Sequence, residues 1–149
     1  MTSTPPVRPR SCVRPSAGVL EVEVVGEVPA PDAPLPAEIE RLVAIALASA
    51  GVHEGHVAIA FVSADRIAEL NASHRGKQGP TDVLSFPIDG NEPLGDGVPR
   101  ELGDIVICPP HTTDLREAIV HGALHLTGMD HETDDGEMLA LQRELLAWE

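Results

Sequence analysis

Aromatic side chains are almost missing from this chain. It has no tyrosine, one tryptophan (Trp148) and two phenylalanines (Phe61 and Phe86). A core must therefore be assembled from Val, Leu, Ile and Ala. Cysteine is as scarce. Cys12 and Cys108 lie far apart, and two residues so placed make neither a disulfide framework nor a Cys-x-x-Cys site. A reduced, cytoplasmic protein is expected. Long apolar runs are missing too. The longest stretch without a charged or strongly polar side chain, near Val43 to Val52, is about half of the ~20 residues a membrane span needs. The N-terminal MTSTPPVRPRSCVRPSAG has no apolar h-region and does not read as a secretory signal. Positive charge is also short: 10 basic residues face 24 acidic ones, for a formal net charge of −14. Three of the basic residues (Arg8, Arg10, Arg14) fall in the first 17 positions, which hold no acid, so the remainder is more acidic still. Such a body repels bulk polyanions and disfavours counterion-driven binding to nucleic acid. Any nucleic-acid partner needs a local positive site or help from another protein.

The 149 residues suit one domain. Residues 1–17, with four prolines and no apolar period, are expected to be a disordered Pro/Arg arm, and 18–149 the folded domain. Residues 19–25 alternate as a half-buried strand, with Leu20, Val22 and Val24 on one face. Residues 37–50 carry Ile39, Leu42, Val43, Ala46, Leu47 and Ala50 at helical spacing, and Gly51 follows as a stop. Residues 57–62 are apolar on both faces, as in a central strand. Ser63 is placed to cap a short helix through Ile67 and Leu70. Residues 82–88 and 104–108 read as two more strands, separated by the turn-rich GNEPLGDGVPREL. Thr112 or Thr113 then caps a helix to about Thr127. A last helix from about Asp134 lines up Met138, Leu141, Leu145 and Trp148 as a core stripe. The expected class is α+β: a single domain with a mixed sheet of about four strands covered by helices.

The informative stretch is HGALHLTGMDH, residues 121–131. The helix leading into it is apolar around almost its whole circumference, except for His121 and His125. Four apart, these two share one face. Gly128 permits a sharp turn, and His131 follows close enough to fold back. Three imidazoles converging in an apolar setting are costly without partners, about 1–3 kcal/mol for each unsatisfied group. One Zn²⁺ per chain resolves that cost, because it binds neutral imidazole nitrogens at about 2.0–2.1 Å. The spacing HxxxHxxGxxH is that of metzincin zinc sites. Three protein ligands leave a fourth position open, as catalytic sites do. The zinc site is thus expected at the end of a central helix, on His121, His125 and His131. Asp130 and Glu132 are placed either to hold an imidazole in one tautomer or to sit solvated in the turn. Zincin proteases carry Glu directly after the first histidine as general base; here Gly122 stands there and cannot take a proton. Metal-assisted chemistry on another substrate is the better reading.

A second constellation is LNASHRGKQGPTDVLSFPID, residues 70–89. Arg75 and Lys77, the chain's only lysine, are expected in a Gly/Pro loop entering a strand, with Asp82 capping or orienting it. A guanidinium forms a planar fork suited to phosphate oxygens and neutralises charge that develops on them in phosphoryl transfer. His53, His56 and His111 have no recurring spacing and read as structural or exposed, His111 also being a possible neighbour of the metal site. His74 is given no role. Cys108 reads as a small buried side chain.

Together, LN…HRGK…PTDVLSFP, LGDIVIC and HGALHLTGMDH resemble the YbeY family of bacterial zinc endoribonucleases, also called rRNA maturation factors. The match is dense from Leu70 to Leu145 and is one of pattern only from Leu20 to Ser63. The resemblance implies one zinc on His121, His125 and His131, and an essential Arg75. It implies single-strand-specific cleavage, 3′-end maturation of small-subunit (16S) rRNA and ribosome quality control. The implied partners are rRNA and the small ribosomal subunit, reached through a ribosomal protein and a ribosome-associated GTPase, with no membrane and no DNA. The chain departs from the family in a shorter linker from Gly103 to His121, in Met129 where Tyr is usual, and in the N-terminal arm. Two rival readings stand beside this one: a ribosome-assembly factor with a mainly structural zinc, and a zinc hydrolase acting on a non-RNA substrate.

Overall fold

The computed structural model describes residues 20–25, 34–89, 100–129 and 136–147. The N-terminal arm, Cys12, most of the turn-rich loop, Asp130, His131, Glu132 and Trp148 lie outside them. The described elements run β1 (Leu20–Val25), α1 (Pro36–Ser49), β2 (Gly55–Phe61), α2 (Ala64–Arg75), β3 (Val83–Pro87), β4 (Glu101–Ile107), a single 3₁₀ turn (Pro109–His111), α3 (Leu115–Leu126) and α4 (Glu137–Ala147). The sheet order is β1-β2-β4-β3, with β1, β2 and β4 parallel and β3 antiparallel to β4. This is the expected α+β domain with a four-stranded mixed sheet.

Strand alternation divides the core in two. Val57, Ile59 and Phe61 of β2 and Ile105 and Ile107 of β4 meet α1, α3 and α4 on one face. Ala60, Leu84, Val106 and Cys108 meet Ile67 and Leu70 of α2 on the other. Every residue of β2 is buried, as its two-faced apolar run predicts. His56 at its start is buried as well. Its ring nitrogens face Glu23 Oε1 at 3.0 Å and Glu101 Oε2 at 3.2 Å, tying β1, β2 and β4 together. His53 and His111 are exposed.

Several boundaries differ from expectation. β4 begins at Glu101, not at 104, because Gly103 is inside the strand. The register shifts beside His56, and the extra residue, Leu102, joins Ile105 and Ile107 in the larger cluster. Ser63 does cap α2, its Oγ accepting from Arg66 N at 3.2 Å. α3 is capped by Asp114, whose carboxylate accepts from Arg116 N and Glu117 N at 3.0 and 3.3 Å. Thr112 instead donates to the Cys108 carbonyl at 2.7 Å and closes the 3₁₀ turn.

α3 approaches the sheet most closely at Gly122. A Cβ there would lie 2.6 Å from Ile105 Cγ2 and 3.3 Å from both Ser85 Oγ and Val83 Cγ2. Ser85 uses that proximity to donate to the Gly122 carbonyl at 3.0 Å. Alanine at 122 gains up to ~1 kcal/mol of helix propensity but overpacks a rigid, fully buried isoleucine at a cost of about 1–3 kcal/mol. Gly122→Ala is expected to lower the urea midpoint, by about 1–2 kcal/mol of stability. An unchanged or raised midpoint would mean that the close approach is not needed.

Cys108 is fully buried beside α2, and burial pushes its thiol above the usual range. Less thiolate and no access both slow its chemistry. Iodoacetamide at neutral pH should leave Cys108 unmodified in the native protein and alkylate it in urea, as read by peptide mass mapping.

Candidate metal centre

His121 and His125 both lie on α3, one turn apart, and His121 faces Gln142 of α4. Their flanking positions Ala118, Ile119, Val120, Ala123, Leu124 and Leu126 are buried, while the two histidines are half-buried. The rings meet edge to face, with centroids 4.7 Å apart and an interplanar angle of 78°. Their Nε2 atoms stand 3.2 Å from each other.

Each Nδ1 points away from that meeting place to an oxygen. His121 Nδ1 lies 2.8 Å from Gln142 Oε1 of α4. His125 Nδ1 lies 2.8 Å from the Met129 carbonyl. The second contact depends on the turn after α3. Thr127 N and Gly128 N donate to the Leu124 and His125 carbonyls, and Gly128 takes φ +99°. That conformation suits glycine and folds the chain back over His125.

These oxygens only accept, so both Nδ1 atoms donate, and each neutral ring keeps its lone pair on Nε2. Two lone pairs converging at 3.2 Å repel unless a proton or metal ion lies between them. Two nitrogens about 2.0–2.1 Å from a tetrahedral ion stand about 3.3–3.4 Å apart, close to the separation present here. The donor pair therefore fits a divalent cation such as Zn²⁺. His131, the expected third ligand, lies outside the described residues. Among the described residues no group of three His, Cys, Asp or Glu side chains is arranged to hold a metal.

Position 122 cannot serve as the glutamate position of a zincin protease. It faces Ile105, Ser85 and Val83, so a long side chain there would be driven into the sheet. Glycine at this site is a packing requirement as well as a missing base.

Arg75 is not in the Gly/Pro loop. It is the last residue of α2, exposed, and Gly76 stops the helix in the left-handed region with φ +67°. The loop beyond is organised by Asn71, a buried residue whose role the sequence did not reveal. Its Nδ2 donates to the Gly79 carbonyl at 2.9 Å, and its backbone carbonyl accepts from Lys77 N at 3.3 Å. Asp82 orients the loop exit, as expected: its Oδ1 accepts from Val83 N at 2.8 Å, and its carbonyl accepts from Cys108 N at 2.8 Å.

β3 stands between the two constellations. Val83 and Ser85 meet α3, while Leu84 and Phe86 meet α2. His74 packs edge-on to Phe86 with centroids 4.9 Å apart. Phe86 and Pro87 pair with Asp104 and Gly103, and Leu126 at the end of α3 packs over Gly103. The C-terminal ends of α2 and α3 therefore reach the same level of the sheet from opposite faces. Arg75 follows His74 at the end of α2 and His125 precedes Leu126 at the end of α3, while His121 lies a turn earlier.

A family profile described as Endoribonuclease YbeY matches residues 27–148. Curated relatives carry the same name. The protein from Geobacillus thermodenitrificans is 40% identical over 128 residues, 72% of this chain and 82% of its own. That from Bacillus subtilis is 34% identical over 147 residues, 85% of this chain and 94% of its own. Among solved structures, the solution structure of TM1509 from Thermotoga maritima matches with a TM-score of 0.50 at 27% identity, covering 83% of this chain and 85% of that one. With the profile matching residues 27–148 of 149 and these relatives matching over most of their own length, this chain belongs to the YbeY family of endoribonucleases.

Proposed function

We propose that this endoribonuclease holds one zinc ion on His121, His125 and His131 and uses it, with Arg75, to cut single-stranded RNA during maturation of the 3′ end of small-subunit rRNA. The observation that carries the metal reading is the pair of Nε2 atoms converging at 3.2 Å with both Nδ1 atoms committed to acceptors. The substrate reading rests on family membership.

When bound, the ion would polarise a scissile phosphoryl oxygen or bring the pKa of a bound water to about 7. The protein's own residues do the rest. Gln142 and the Met129 carbonyl keep the two imidazoles in the Nδ1–H form and at fixed angles. Arg75, exposed at the C-terminal end of α2, would stabilise charge gathering on the phosphorus oxygens. Asn71 holds the loop after Arg75 in one shape. The formal charge of −14 opposes free RNA, so docking on the small subunit through a ribosomal protein and a ribosome-associated GTPase supplies the approach. No helix among the described residues is long and apolar enough to cross a membrane.

A rival reading, in which the metal is mainly structural, is separated from this one by two variants. Arg75→Ala should fold, bind zinc as wild type does and lose RNA cleavage by about 10²–10³-fold, the usual loss for a transition-state charge partner. His125→Ala should lose zinc while keeping its urea midpoint within about 1 kcal/mol of wild type's. Cleavage of a single-stranded rRNA fragment, zinc content and denaturation curves read all three. An Arg75→Ala protein that cleaves normally would contradict the role of Arg75. A His125→Ala protein that unfolds would favour the structural reading.

A further inference from the structure

α4 presents one inward stripe: Met138, Gln142 and Leu145, at 0, 5 and 3% exposure. Two of the three are apolar, as a helix docking on a core requires. The middle position is an amide, which is costly to bury without a partner. Its partner is His121: Gln142 Oε1 lies 2.8 Å from His121 Nδ1. His125 is held differently, by the Met129 backbone carbonyl, which no side-chain substitution removes. One imidazole of the pair is thus fixed by the turn after α3 and the other by a side chain from a separate helix.

We propose that Gln142 is a positioning residue that sets the tautomer and ring angle of His121, so that Nε2 and not Nδ1 is the metal donor. The inference rests on the metal reading above. An oxygen facing Nδ1 admits only the Nδ1–H tautomer and leaves the Nε2 lone pair directed at the Nε2 of His125. An amide nitrogen in the same place would put the proton on Nε2 and close the site to a cation. The docking of α4 and the geometry of the metal centre are therefore coupled through the hydrogen bond between Gln142 and His121. A carboxylate at 142 would keep the acceptor and raise the basicity of the ring; an apolar side chain of similar length would fill the space and remove the acceptor.

The test compares wild type with Gln142→Met, Gln142→Leu and Gln142→Glu. Zn²⁺ affinity is measured by competition with a chromogenic chelator, stability of the zinc-free proteins by urea denaturation, and the His121 tautomer by long-range ¹H–¹⁵N NMR of the zinc-free proteins at alkaline pH. Expected are a loss of Zn²⁺ affinity of about 10–100-fold in the Met and Leu variants and equal or tighter binding in the Glu variant. Urea midpoints of the Met and Leu variants should fall slightly at most, because the apolar burial gained on α4 offsets the loss of a partner for the half-buried His121 Nδ1. The His121 signal should be that of the Nδ1–H form in wild type and a mixture in the Met variant. Met and Leu variants that fold and bind Zn²⁺ within twofold of wild type would overturn the positioning role while leaving the metal centre intact. A wild-type protein that binds no Zn²⁺ would overturn both. If Met and Leu variants lose their fold, a Glu variant whose affinity drops as theirs does overturns the proposal, and one that keeps or tightens it supports the proposal.

Discussion

A helix seated on a sheet with no side chain of its own at the point of contact is the constraint from which the rest of this structure follows. At Gly122 the backbone of α3 comes so near β3 and β4 that Ser85 reaches the helix carbonyl. A helix pinned at one residue has its rotation about its own axis fixed. That sets the directions of His121 and His125, one turn apart, and brings His121 to Gln142 of α4. The same contact explains why β3 carries a small residue with a hydroxyl at position 85 in an otherwise apolar strand. The site is thus a consequence of packing before it is a matter of chemistry.

The edge strand links the two halves of the chemistry. β3 gives Val83 and Ser85 to α3, and gives Leu84 and Phe86 to α2. Because side chains alternate along a strand, one five-residue element can lock two helices on opposite faces. The C-terminal ends of α2 and α3 reach the level of Phe86 and Gly103 from opposite faces of the sheet. In a body with 24 acidic residues against 10 basic ones, any local cation matters the more to the approach of a phosphodiester.

Much of this was legible in the sequence, and the parts that were not share a cause. β2 declared itself central by being apolar on both faces, and α1 by its 3.6-residue period. Ser63 announced a cap that the structure contains. The histidine spacing located the paired imidazoles on one helix face. Missed were features that depend on partners distant in sequence. Gln142 reads as a surface residue of an amphipathic helix until His121 is found beside it. Asn71 reads as an ordinary helix residue until the Gly79 carbonyl returns to it. Gly103 looked like a strand entrance because a glycine inside a strand signals a turn unless the bulge is known. Arg75 was assigned to the loop because the glycines after it are stronger punctuation than the helix before it. Gly122 was read for the base it lacks, whereas its position is set by Ile105.

The central claim is that the two imidazoles converge on a metal ion through their Nε2 atoms. X-ray absorption at the zinc edge, on protein purified without added metal or chelator and then loaded with one equivalent of Zn²⁺, tests it most directly. The account predicts a first shell of nitrogen and oxygen at about 2.0–2.1 Å with the outer-shell scattering of imidazole rings and no sulfur. A sulfur shell near 2.3 Å, or a hydrated ion without imidazole scattering, would contradict it.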